Sequence, residues 1–170
     1  VLITMADNML SGLSRNRAIE AMSTAGHAQF ERPYGPPIPA FYALIAQAHM
    51  HAYGTTSEQL AAVAVACRKH ASKNPAAQMR DPITVDDVVN SRMIAQPLHL
   101  LDCSLVSDGG AAIIMTSAER AKDFPHKPVY ILGAGEGHSH EHISQAQSLT
   151  TSAAKEAGER AYAMAGLGPK

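Results

Sequence analysis

The sequence predicts an α/β protein, and three observations carry that expectation. Short apolar runs of strand length stand at Val1–Met5, Ala111–Thr116 and Val129–Leu132. Helical periodicity fills the stretch from about Ala40 to Lys73 and opens its second helix on a capping pair. A final helix from about Leu149 to Ala165 is rich in small residues, Ala153, Ala154, Ala157 and Ala161, which suit close packing on a sheet or another helix.

Bulk properties narrow the function classes. The 170 residues are 46% hydrophobic and 17% charged, so a packed core is expected rather than disorder. Lys+Arg 14 against Asp+Glu 15 leaves a net charge of -1, which gives no electrostatic basis for nucleic acid or an anionic membrane as partner. No apolar run approaches bilayer-spanning length. The two cysteines, Cys67 and Cys103, make no disulfide framework and fit a reducing compartment, so a cytoplasmic location is expected.

In chain order, residues 1–5 read as a strand running into a turn at Ala6-Asp7-Asn8-Met9. Residues 11–39 read as irregular, with Arg32-Pro-Tyr-Gly-Pro-Pro-Ile-Pro39 as an extended excursion. A helix follows from about Ala40 to Ala52, stopped by Tyr53-Gly54. Thr55 and Glu58 have capping-box spacing for the next helix, in which Leu60, Val63, Ala64 and Cys67 fall at helical spacing, with Cys67 expected in the core. Arg68, Lys69 and Lys73 suit its C-terminal end, and Asn74-Pro75 stops it. Thr84 and Asp87 open a short helix. After the Asp108-Gly109-Gly110 turn come a strand at 111–116, a short helix at 117–122, a linker at Pro125 and Pro128, and the strand Val129–Leu132 leading into Gly133-Ala-Gly-Glu-Gly137. Three strands are too few for a good sheet. With the abrupt opening at Val1–Thr4 and the helix stop at Gly166–Pro169, they predict an internal segment of a longer polypeptide.

Several of these motifs resemble the thiolase superfamily in the same order. Ser107-Asp108-Gly109-Gly110-Ala111-Ala112 resembles its Asn/Ser-Asp-Gly-Ala-Ala-Ala segment. His49-Met50 followed by Tyr53-Gly54-Thr55 resembles the segment of its loop domain beside the coenzyme A tunnel. Glu58-Gln-Leu-Ala61, Lys69-His70 with Asn74-Pro75, Ile83–Val88, Ser91-Arg92 and Pro97-Leu98 resemble the sterol-carrier-protein-x, or non-specific lipid-transfer-protein, branch, which is similar to acetyl-CoA acetyltransferases. The resemblance covers most of residues 40–170 and the opening strand. It implies an incomplete layered αβαβα fold with a mostly helical loop domain: residues 1–124 as the end of the N-terminal half with that inserted domain, and 125–170 as the start of the C-terminal half.

The function this resemblance implies is coenzyme A-dependent acyl transfer in lipid or acyl-chain metabolism, or else a non-catalytic acyl-CoA- or lipid-binding scaffold. Coenzyme A or acyl-CoA would be substrate, with no permanently bound cofactor, and the protein a homodimer or higher homo-oligomer. The family's nucleophilic cysteine, its glycine-rich histidine and second-cysteine loops, and the His-Asp-Cys-Phe motif of this branch do not occur in these residues. No catalytic residue is therefore assigned, and the segment alone is expected to be inactive. His49, Met50 and Ser104 are the expected substrate-binding residues: the flexible thioether of Met50 can follow an acyl chain, and Ser104 stands where some biosynthetic thiolases contact coenzyme A. Packing roles for His49 and Met50 and a turn-capping role for Ser104 remain open.

Other constellations point less far. Cys103 beside Asp102 reads as a semi-buried structural thiol, since a neighbouring carboxylate disfavours the thiolate. His138, His140 and His142 alternate, yet lack a strand signal or a second ligand group, and read as a solvated loop rather than a metal site. Gly133-Ala-Gly-Glu-Gly137 departs from a dinucleotide fingerprint because His138 stands where its third glycine would fall.

Overall fold

A computed structural model describes residues 1–169, Arg15 by its backbone alone. The described elements fall into two compact units. The first contains Val1–Arg15, Val106–Glu141 and the chain from Thr151; the second contains Asn16–Leu105 and His142–Thr150. The architecture is α/β, as expected. No described helix is long and apolar enough to cross a membrane.

In the first unit, β1 (Leu2–Asn8) pairs antiparallel with β4 (Asp108–Ile114), from Leu2 opposite Ile114 to Asn8 opposite Asp108. β1 thus runs through Ala6–Asn8, where a turn was expected. Gly110 and Gly109 face Ala6 and Asp7 across the ladder, so small residues allow close pairing to continue. The turn comes one step later, closed by Gly12 N–H donating to Asn8 O at 2.7 Å. Asp108 fastens it: its carboxylate accepts the Leu10 N–H at 2.8 Å and the Ser11 N–H at 3.1 Å. The hydrogen bonds from Ser11 and Leu10 outweigh desolvation and hold the Asp108 carboxyl below its ordinary range. The aspartate that anchors the Ser-Asp-Gly-Gly motif therefore ties the exit of β1 to the start of β4.

Both faces of this ribbon remain exposed, with Leu2 at 64% and Ile114 at 66%. The expected strand Val129–Leu132 is not one: it is exposed and has no ladder partner among the described residues. An apolar run alone cannot make a strand without a neighbour to take its N–H and C=O groups.

The segment after it packs closely on the last helix. Gly133 and Gly135 lie against Ala161 and Ala157 of the last helix, and Gly137 lies against Ala153, its N-cap residue. That helix is α6 (Ala154–Ala165). A Cβ on Gly133 or Gly135 would overlap the carbonyl oxygens of Ala161 or Ala157; on Gly137 it would sit 2.9 Å from Ala153 O. Every second residue of an extended chain advances roughly 6.5 Å and every fourth residue of a helix about 6 Å, so the glycines and alanines mesh in step. Arg160 donates from Nη1 to Glu136 O at 3.1 Å beside them. α6 starts five residues later than expected at Leu149 and ends on Gly166, whose φ of 65° is left-handed. The short helix α5 (Ala118–Ala121) lies within the range expected.

In the second unit, α1 (Arg15–Ser23) occupies part of the stretch read as irregular, and a 3-10 turn at Arg32–Tyr34 occupies another. α2 (Ile38–Tyr53) and α3 (Ser57–Ala71) match the expected helices. The α3 capping box is Thr56 with Gln59, one residue beyond the expected Thr55–Glu58 pair, because the Thr55 hydroxyl is engaged by His49. α4 (Val85–Val89) has the expected Thr84–Asp87 box, with Asp87 N–H donating to Thr84 Oγ1 at 3.1 Å. β2 (Met93–Ala95) and β3 (Leu98–His99) form a short hairpin that the sequence did not reveal, Met93 facing His99. α3 packs on α4, and both pack on the 3-10 turn Leu100–Asp102. Ala61 and Val88 are fully buried. Cys67, expected in the core, is exposed: the buried face of α3 passes through Ala61 and not through Cys67.

Candidate functional site

The His49-Met50…Tyr53-Gly54-Thr55 motif is the C-terminal turn of α2. Gly54, at φ 68°, takes the left-handed conformation and donates its N–H to Met50 O at 2.9 Å. A side chain there would be strained, which explains the glycine. The turn brings Thr55 back onto the helix, so that Thr55 Oγ1 lies 2.8 Å from His49 Nδ1. The Tyr53 ring leans on the imidazole, with centroids 4.7 Å apart and planes at 48°. His49 is therefore held on two sides and exposed, with Nε2 as the nitrogen left for another group. Met50, next to it, is half-buried. This arrangement offers a fixed hydrogen-bonding ring beside an adaptable apolar side chain.

Ser104 is exposed and donates to Leu105 O at 3.2 Å. Among the described residues no hydrogen bond links it to His49. Upstream, Asp102 accepts the His99 N–H at 2.8 Å, and its Oδ2 lies 3.5 Å from His99 Nδ1. That ring nitrogen is buried and has no hydrogen-bond partner among the described residues. Burial first, and the Asp102 charge second, push the Cys103 thiol up, away from the thiolate a nucleophile needs.

The three late histidines each have their own partner. His138 Nε2 meets Glu136 Oε1 at 2.8 Å, His140 Nδ1 meets Ser139 Oγ at 2.8 Å, and His142 turns toward Glu31. Among the described residues no group of three metal-ligating side chains converges. Glu31 carries the strongest feature the sequence reading missed. It is a buried carboxylate whose hydrogen-bond partner Ser144 lies 113 residues away, so no local spacing announces it.

Comparison with known proteins shows what the chain is similar to. Residues 135–170 match the family described as Thiolase C-terminal domain-like. An acetyl-CoA acetyltransferase of Methanothermobacter thermautotrophicus is 40% identical over 88% of this chain and 39% of its own length. A steroid side-chain-cleaving aldolase of Thermomonospora curvata is 44% identical over 81% of this chain and 37% of its own. Among solved structures, an Ltp2-ChsH2(DUF35) aldolase superimposes with a TM-score of 0.80 at 38% identity, covering 99% of this chain and 44% of that one. The chain is thiolase-like in sequence and in fold. It spans about two fifths of the length of these curated relatives.

Proposed function

We propose that the protein containing this chain is a coenzyme A-dependent acyltransferase of the thiolase type, acting on acyl-CoA thioesters in lipid or acyl-chain metabolism as a cytoplasmic homo-oligomer. The observation that carries this reading is the likeness to the archaeal acetyl-CoA acetyltransferase across 88% of the chain. In this reading, residues 1–124 close the first half of the fold and 125–170 open the second, in keeping with the family match at 135–170. His49 and Met50 line the acyl-CoA path: the His49 ring offers Nε2 to a polar group of the substrate, and the Met50 thioether follows its alkyl part. Ser104 contributes a hydroxyl to coenzyme A. The nucleophilic cysteine that takes the acyl group, and the donors that hold the thioester oxyanion, come from the rest of the polypeptide.

A second reading, carbon–carbon cleavage of a coenzyme A thioester by retro-aldol chemistry, is favoured by the 0.80 TM-score and 38% identity to the solved aldolase. The two separate in one assay on the full-length protein. Acyl transfer predicts that acetyl-CoA leaves one acetyl group on a cysteine, seen as an added acetyl mass that free coenzyme A removes. Cleavage of a β-hydroxyacyl-CoA without any such adduct supports the aldolase reading instead and refutes the acyltransferase.

A further inference from the structure

We propose that Glu31, together with His27 and His142, forms a pH-sensitive latch that fastens the segment His142–Thr150 to the turn that carries Glu31. Glu31 is only 6% exposed. One carboxylate oxygen, Oε2, accepts the His27 N–H at 2.7 Å; the other, Oε1, accepts the Ser144 N–H at 2.7 Å. His142 Nδ1 stands 4.0 Å from Oε2, and its ring meets the His27 ring edge-on with centroids 5.1 Å apart. Gly26 closes the site from another side: a Cβ there would lie 3.1 Å from Glu31 Oε2 and 3.0 Å from Phe41 Cζ.

The charged and titratable neighbours define what this carboxylate can do. Arg32, next in sequence, turns its guanidinium away onto the Thr24 and Gly26 carbonyls, the latter at 2.9 Å from Nε. The His142 ring faces Glu31, and the His27 ring packs against His142 while its Nδ1 accepts the Gln29 and Phe30 N–H groups. Both backbone donors require an acceptor on each oxygen, a demand that the ionised carboxylate meets and the protonated acid meets less well. Burial pushes the Glu31 carboxyl up, but the Ser144 and His27 hydrogen bonds and the His142 ring outweigh it, and the net position is below the ordinary range.

The sign follows. A carboxyl lowered on folding adds stability that is complete above its unfolded value and disappears as the pH falls through its folded value. The latch is therefore closed at neutral pH and released in acid. Three side chains and two backbone amides from stretches more than a hundred residues apart thus share one proton-sensitive contact.

Amide hydrogen exchange on the full-length protein tests this. With intrinsic rates corrected for pH, protection of the Ser144 amide should fall about tenfold on acidification from about pH 7 to about pH 3, and amides in α3 should hold. Glu31→Ala should lose about the same protection at Ser144 already at neutral pH and show no further acid step, because it removes both acceptor oxygens. Ser144 protection that is unchanged in acid, or that falls only in parallel with α3, overturns the proposal. The wild-type pH series decides the matter alone if the variant fails to fold.

Discussion

Gly135→Leu should detach α6 from the extended segment Gly133–Gly137 and destabilise the first unit by about 3 kcal/mol, the upper end of ordinary overpacking. Gly135 has no room for even a methyl group: the atom in the way is the backbone carbonyl of Ala157, which cannot swing aside as a flexible side chain would. Relief requires the helix to move, and with it the meshed contacts at Ala153 and Ala161. A control lies on the same helix. A Cβ on Gly158 would find only Tyr162 Cε2 at 3.9 Å, so Gly158→Ala should raise stability by roughly 0.5–1 kcal/mol through helix propensity. Urea denaturation of the two variants reads both signs. Gly135→Leu within about 0.5 kcal/mol of wild type would show that the glycines are not there for close packing.

Val88→Asp should cost about 4 kcal/mol, and Val88→Ala about 2 kcal/mol. Val88 is the largest fully buried side chain among the described residues, and it sits where α4 meets α3 and the 3-10 turn Leu100–Asp102. The alanine variant loses transfer energy and leaves a cavity; the aspartate must bury a carboxylate with no partner, or stay protonated at neutral pH. Chemical denaturation of both, read by circular dichroism, gives the order wild type, then alanine, then aspartate. Equal stabilities would mean that α4 is a surface appendage and does not help to seat the residues around Asp102.

What the sequence made legible was local. The Thr84–Asp87 box and the stop at Gly54 are complete within a few residues, so α4 and the end of α2 could be read directly. The motif from His49 to Thr55 was visible as a motif, and its geometry follows from one left-handed glycine. What depended on distant partners was not legible. Thr55 and Thr56 compete for the same cap, and only the His49 contact decides between them. Val129–Leu132 has the composition of a strand but lacks a neighbour. α1 was hidden by its polar sequence, Arg15-Asn-Arg-Ala-Ile-Glu-Ala-Met-Ser23, in which only a thin apolar stripe marks a helix. Glu31 could not stand out, since a single glutamate before Arg32-Pro33 carries no spacing signal for a partner at Ser144. Cys67 shows the converse: helical spacing placed it on an apolar face, but the packed face of α3 runs through Ala61.

The role proposed for the end of α2 is recognition of coenzyme A thioesters. Calorimetric titration of acetyl-CoA into the full-length protein, repeated with His49→Ala and with Met50→Asp, addresses it most directly. The account predicts saturable binding to the wild type and an affinity lower by roughly tenfold in each variant, the loss expected for one hydrogen bond or one apolar contact. No binding to the wild type, or binding that both variants leave unchanged, would contradict it.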